Sequence, residues 1–161
     1  MVAFICMSRK IIRELHEKHI QGTKAKAIVV NKKVFLCHLT NAVTKGLALP
    51  TGKVYINTRV IKHLFDKKPA EEFDFLVENI HKIVKYPDLI YDNKQGKRGE
   101  YCFVKSIKSE KYFCCLELLE VLTEDEVQKE IAVATAFRIR KESYLNGYEL
   151  LWSWKDGEPS S

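Results

Sequence analysis

The 161-residue sequence is short of chain breakers, with only 7 glycines and 4 prolines, and its 46% hydrophobic content excludes both a collagen-like chain and a disordered low-complexity one. It also lacks any apolar run near the roughly 20 residues that span a bilayer. Val2 to Met7 is too short for a signal-peptide core, and no basic residue precedes it. A folded, cytoplasmic protein with no membrane partner is therefore the expectation. Cysteines are few and ill-spaced for bridging. Cys6, Cys37, Cys102, Cys114 and Cys115 are odd in number and form no C-x-x-C pair, which argues against a disulfide framework and a zinc ribbon. They read as reduced core residues. Glycine-rich phosphate loops, a G-x-S-x-G elbow, H-E-x-x-H and an acidic metal loop are missing too, so no cofactor or metal is expected. His16 and His19, at i, i+3 spacing, together with Cys37-His38 are the nearest approach to a metal site. His19 falls beside Ile12 and Leu15, and packing is the preferred reading.

What the sequence does have is an uneven charge. The total is 27 basic and 21 acidic residues, yet residues 1–53 hold ten Lys/Arg against two Asp/Glu, and the remainder is slightly acidic. Such an asymmetry is the footprint of a polyanion partner, RNA or DNA, or else of a lysine-rich solubilising surface.

Breakers and periodicity divide the chain. Ser8 is placed to cap a helix through His19, and Lys26 to His38 reads as two short strands around Asn31-Lys32-Lys33. Leu49-Pro50-Thr51-Gly52 coincides with the change in charge. It predicts a boundary between a small basic N-terminal α/β appendage, 1–53, and a main domain, 54–155, with a disordered tail at 156–161. Thr58 is a predicted N-cap for a helix with Val60, Ile61, Leu64 and Phe65 on one face. Pro69 opens a second helix, carrying Phe73, Leu76, Val77, Ile80, Ile83 and Val84, and Pro87 stops it. Strand-like segments follow at 89–92, 100–106, 111–121, 131–140 and 148–154, with a turn or short helix near 141–146. Helices first and strands afterwards predict an α+β fold with an antiparallel sheet.

Several polar residues stand out against this frame. His63 lies off the apolar stripe of its helix, flanked by Lys67, and is either an acid–base or phosphate-contacting group or a solvated surface histidine. Lys97-Arg98, between Gly96 and Gly99, forms a basic loop suited to phosphate or merely a soluble hairpin tip. Tyr101, Phe103 and Lys105 share one strand face, offering a stacking platform beside a cation or an ordinary core pair. Glu117 and Thr135 interrupt apolar strands, and Arg138, Arg140 and Lys141 follow Thr135. RNA cleavage without metal needs a base for the 2′-hydroxyl, an acid for the leaving oxygen and cations for the phosphate, and these residue types supply all three.

The order of Tyr55-Ile56, Ile61-Lys62-His63-Leu64, Tyr86-Pro87-Asp88-Leu89-Ile90-Tyr91, Lys97-Arg98-Gly99, Phe103-Val104-Lys105, Thr135-Ala136-Phe137 and Tyr144-Leu145 resembles the phage-associated branch of the barnase, EndoU, colicin and RelE-like (BECR) nucleases. The resemblance runs from about Val54 to Trp154. It implies two helices packed on one face of a four- to five-stranded antiparallel sheet, and metal-independent, toxin-like RNA cleavage. Carried over by position, His63, Lys105, Thr135 and Tyr144 are the implied catalytic candidates. Glu117 is added from the strand argument, and Arg98, Lys97, Tyr101, Arg138 and Lys141 are the substrate-binding candidates. RNA, tRNA or another structured or single-stranded RNA, is the implied substrate, and a cognate inhibitor protein the implied partner. The alternative is a non-catalytic RNA-binding or protein-interaction module of the same fold.

Overall fold

The computed structural model describes residues 2–93 and 99–154, with side chains from Lys10 onward. In chain order the elements are α1 (Val2–His19), β1 (Lys33–His38), α2 (Asn41–Gly46), β2 (Lys53–Asn57), α3 (Thr58–Lys67), α4 (Ala70–Lys85), β3 (Leu89–Asp92), β4 (Tyr101–Ile107), β5 (Glu110–Thr123), β6 (Glu126–Ile139), a 3-10 turn (Glu142–Leu145) and β7 (Glu149–Ser153). The strands form one seven-stranded sheet in the order β1-β2-β6-β5-β4-β3-β7. All neighbours are antiparallel except β2 and β6, which run parallel through Val54↔Ile131 and Tyr55↔Ala132. The α+β class stands, but the sheet is larger than expected and mixed. The reason is that β1 and β2 join the five expected strands at the β6 edge, β2 running parallel to β6.

Helix α4 is the main cover of the sheet. Glu71 and Glu72 in its first turn suit the helix dipole, and Phe73, Leu76, Val77, Ile80, Ile83 and Val84 are buried as their spacing predicts. Truncating any of the larger ones to alanine costs about 2–5 kcal/mol. The cap of α3 is displaced by one residue from expectation. Asn57 Oδ1 accepts from the Val60 N–H at 3.0 Å, while the buried Thr58 hydroxyl donates to the Val30 carbonyl and accepts from the Lys32 N–H at 2.8 Å. Those two hydrogen bonds tie the irregular segment 24–32 to α3, and only the second of the two strands expected between Lys26 and His38 forms.

The predicted division at residue 53 is not a division of the core. Ile12, Leu15 and Ile20, with Leu36, Cys37, Leu39 and Val43, join the same hydrophobic cluster as α3, α4 and the sheet. Arg13 reaches α4 as well, its guanidinium 2.9 Å from Glu78. Helix α1 starts before Ser8, which is interior to it. His16, and not His19, is the packing histidine, its ring 4.9 Å from Phe73 and 5.5 Å from Phe65. The tail at 156–161 lies outside the described residues. Among the described residues no helix is long and apolar enough to cross a membrane.

Candidate functional site

Period two gives the sheet two classes of side chain, and the helices cover one of them. Tyr101, Phe103, Cys114, Leu116, Val133 and Ala136 face the helices. Cys102, Val104, Phe113, Cys115 and Ala134 face the other way, in a smaller cluster against Phe137, Leu145 and Tyr148. The second cluster is roofed by the chain from the 3-10 turn to Tyr148. Phe113 and Phe137 stack with ring centroids 4.6 Å apart, and Tyr144 stands edge-on to both at 5.7 and 5.4 Å. Tyr148 lies parallel to Tyr144 at 6.0 Å and edge-on to Tyr91 at 6.5 Å. Lys68 comes to this side as well, its ammonium 5.2 Å from the Phe137 ring centre.

Past the aromatic roof the face is less covered, and there β6 carries a bulge. Cys115 pairs with Thr135 but Leu116 pairs with Val133, so Ala134 is the extra residue and both Ala134 and Thr135 stand opposite Cys115. A bulge of this kind turns a side chain out of strict alternation, here directing the half-buried Thr135 away from the helices. Glu117, two residues beyond Cys115 on the unbulged strand and paired with Ala132, lies on the same face.

The base of the basic loop reaches the same spot. The Asn93 side-chain amide donates to the Gly99 carbonyl at 3.0 Å and lies 3.2 Å from Cys115 Sγ, and the Glu100 N–H donates to the Leu116 carbonyl at 2.7 Å. Gly99 is required twice over. Its φ is +83°, and a Cβ there would stand 2.8 Å from Cys115 Sγ. Lys97 and Arg98 lie outside the described residues, but both ends of their loop are fixed beside the Cys115–Thr135 pair.

Two groups here are driven toward their neutral forms. A hydrogen bond with Cys115, then burial, raises the Cys102 thiol, whose Sγ is 3.8 Å from Cys115 Sγ. Burial, then a hydrogen bond with Tyr144, pushes the Tyr148 phenol up to about 12. Tyr148 therefore remains a neutral hydroxyl at physiological pH. Cys37, Cys102, Cys114 and Cys115 are buried free thiols. Among the described residues no group of three His, Cys, Asp or Glu side chains converges to hold a metal ion.

The structure thus sets Glu117, Thr135 and Tyr144 on one face, with Asn93 and Gly99, which flank the basic loop, beside Cys115. It does not gather His63, Lys105, Tyr101 or Arg138 there. His63 is exposed on α3, in the helix layer, lining a cavity of about 460 Å³ with Ile28, Arg59 and Lys67. Lys105 is held by the Tyr86 carbonyl at 2.7 Å and Asp88 at 3.7 Å, near Trp152 and Trp154. Phe103 is core, and Tyr101 packs partly against it, so the stacking platform is the core pair. Arg138 sits opposite Tyr112 on the helix-facing side, its backbone N–H donating to Glu72 at 3.1 Å. Lys141 is exposed at the entrance to the 3-10 turn. His63 and Lys105 therefore share no face with Thr135, because both lie on the helix side of the sheet. Sequence reasoning missed Tyr148, Tyr91 and Asn93. For Tyr148 the local signal was a second tyrosine four residues after Tyr144.

No curated protein and no solved structure matches the chain. A family model does, over residues 38–146, from the last residue of β1 to just past the 3-10 turn, with β2 to β6 and the candidate face included. By that match the chain belongs to the phage-Barnase-EndoU-ColicinE5/D-RelE like nuclease family 3.

Proposed function

We propose that the protein is a metal-independent endoribonuclease whose active site is the sheet face around Glu117, Thr135 and Tyr144. The observation that carries this reading is the β6 bulge, which sets Thr135 beside the anchored ends of the Lys97-Arg98 loop and one step from Glu117. A nuclease needs a base, a phosphate grip and a proton donor, and Glu117, Thr135 and Tyr144, on one sheet face, are residues of the right kind for those roles.

In the proposed reaction the Glu117 carboxylate takes the proton of a ribose 2′-hydroxyl. The 2′-oxygen then bonds to phosphorus while the bond to the 5′-oxygen breaks, leaving a 2′,3′-cyclic phosphate. Arg98 and Lys97 offset the charge growing on the phosphoryl oxygens, and the Thr135 hydroxyl donates to one of them. The Tyr144 hydroxyl gives its proton to the departing 5′-oxygen, with Tyr148 beside it as a neutral partner. Lys68, Tyr91 and Lys141 border the face and suit a passing phosphate or base. His63 takes no part in the chemistry.

The test is incubation with labelled structured and single-stranded RNA, with and without chelator. Chelator-resistant cleavage leaving cyclic phosphate ends is expected, and Glu117→Gln lowers the rate by roughly 10²–10⁴-fold. His63→Ala cleaves like wild type. Cleavage that survives Glu117→Gln and fails in His63→Ala would refute the assignment. RNA bound but never cut by wild type would point to the non-catalytic binding module.

A further inference from the structure

The hairpin of β5 and β6 is longer than the sheet that supports it. The last pair of β4 with β5 is Tyr101↔Leu116, and β2 pairs with β6 only at Ile131 and Ala132. The five pairs from Leu119↔Glu130 to Thr123↔Glu126 therefore have no third strand. This ribbon is acidic and partly apolar: Glu120 pairs with Lys129 and Glu130 with Lys33 at 2.7 Å, while Glu124, Asp125 and Glu126 at the turn carry the remaining negative charge. Leu122 and Val127, a cross-strand pair near its end, are 77% and 60% exposed. Its turn is held at a cost, because Glu124 and Asp125 both have positive φ, 42° and 82°, where Asn and Gly are the favoured residues. An isolated two-stranded ribbon is marginal in water, and one that exposes aliphatic pairs is more so.

The opposite character occurs once more on the same chain, in the cavity beside α3. It is lined by Ala25, Ala27, Ile28 and Val29 together with Lys26, Arg59, His63 and Lys67, and its volume is about 460 Å³. Ile28 is 99% exposed. Its one acidic lining residue, Asp66, is engaged by Lys62 at 2.6 Å and by the Lys26 N–H at 3.0 Å, and among the described residues Arg59 and Lys67 have no ion-pair partner. Acidic apolar ribbon and basic apolar groove are complementary in both charge and surface.

We propose that the ribbon Leu119–Glu130 of one copy docks in the α3 groove of a second copy, reciprocally, to make a two-fold dimer. Leu122 and Val127 cover Ile28, and Glu124 and Asp125 meet Arg59 and Lys67. The ribbon begins two residues beyond Glu117 on β5, and the dimer stands whether or not the Glu117 face cleaves RNA.

Charge reversal on each half tests it by sedimentation equilibrium. Wild type should dimerise, and about 1 M salt, where the Debye length is near 3 Å, should weaken the dimer. Glu124→Lys/Asp125→Lys and Arg59→Glu/Lys67→Glu should each raise the dimer dissociation constant at least about 30-fold, because each sets like charges against one another. Mixing the two variants should restore association, since each wild-type surface meets a wild-type partner and each reversed surface a reversed one. Circular dichroism confirms that both remain folded. A wild-type monomer at every concentration overturns the proposal, as does a dimer unaffected by either reversal or a mixture that stays monomeric. Reversal of Arg59 and Lys67 that lowers RNA affinity in a chain that remains monomeric would assign the groove to nucleic acid and overturn it too.

Discussion

Replacing Asp66 by asparagine tests how the irregular segment 24–32 is held. Asp66 faces two donors at once: one carboxylate oxygen accepts from Lys62 Nζ at 2.6 Å, the other from the Lys26 N–H at 3.0 Å. The Lys62 and Asp66 side chains are only 7% and 11% exposed, and Lys62 also donates to the Lys24 carbonyl at 2.7 Å. Asparagine keeps the shape but offers a single acceptor oxygen, so its amide group must confront either the ammonium or the N–H. One hydrogen bond is lost, and Lys62 keeps its charge without a counter-ion. Losing a charge-assisted bond costs about 1.5–3 kcal/mol, and breaking a buried pair about 3–5. Because the pair borders an open groove and Lys62 retains the Lys24 carbonyl, the expected loss is about 3 kcal/mol, or roughly 6–12 °C in Tm for a chain of this size. Burial alone would raise the Asp66 carboxyl, but the bonds from Lys62 and Lys26 outweigh it and hold it below the usual carboxylate range. A depressed folded-state pKa gives stability that is present above about pH 4 and lost as pH falls through the folded value. The gap between wild type and Asp66→Asn should therefore be full at pH 7 and narrow in acid. Thermal melts followed by circular dichroism across that range measure it. A variant melting within a degree of wild type at pH 7, or a gap that widens below pH 4, would refute the reasoning.

Gly46→Ala should destabilise the protein although alanine is the better helix former, because the new Cβ would stand 2.5 Å from Trp152 Cδ1. Overpacking of about 1–3 kcal/mol exceeds the propensity gain of about 1, and a raised Tm would contradict this. Removing residues 1–53 should abolish folding, since it deletes α1, β1 and part of the common core; a truncated chain with a cooperative melt would show that the core closes without them. Thiol titration of denatured protein, without reductant, should count all five cysteines, and a shortfall of two would reveal oxidation of Cys102 with Cys115.

The sequence by itself determined the elements whose cause is local. Pro69, the 3–4 spacing of apolar residues and Pro87 bound α4, and the pattern after Pro87 places β3, β4, β5 and β7 within two residues, whereas β6 begins at Glu126, five residues before its expected start. It also put His63 off the apolar stripe, and His63 is indeed exposed. Only tertiary structure decided which candidates meet. Period two tells which side chains share a face and nothing about which face the helices take. Tyr101, Phe103 and Lys105 fell on the covered side, while Glu117 and Thr135 fell on the other. The bulge at Ala134 breaks the alternation by one residue, and it exists only because β6 must match Cys115 and Leu116 on a neighbouring strand. The parallel contact of β2 with β6 joins residues more than 70 positions apart, and that contact makes the basic N-terminal third part of the sheet instead of an appendage. Pairing at that range is fixed by burial of the whole core, which no short window of sequence contains.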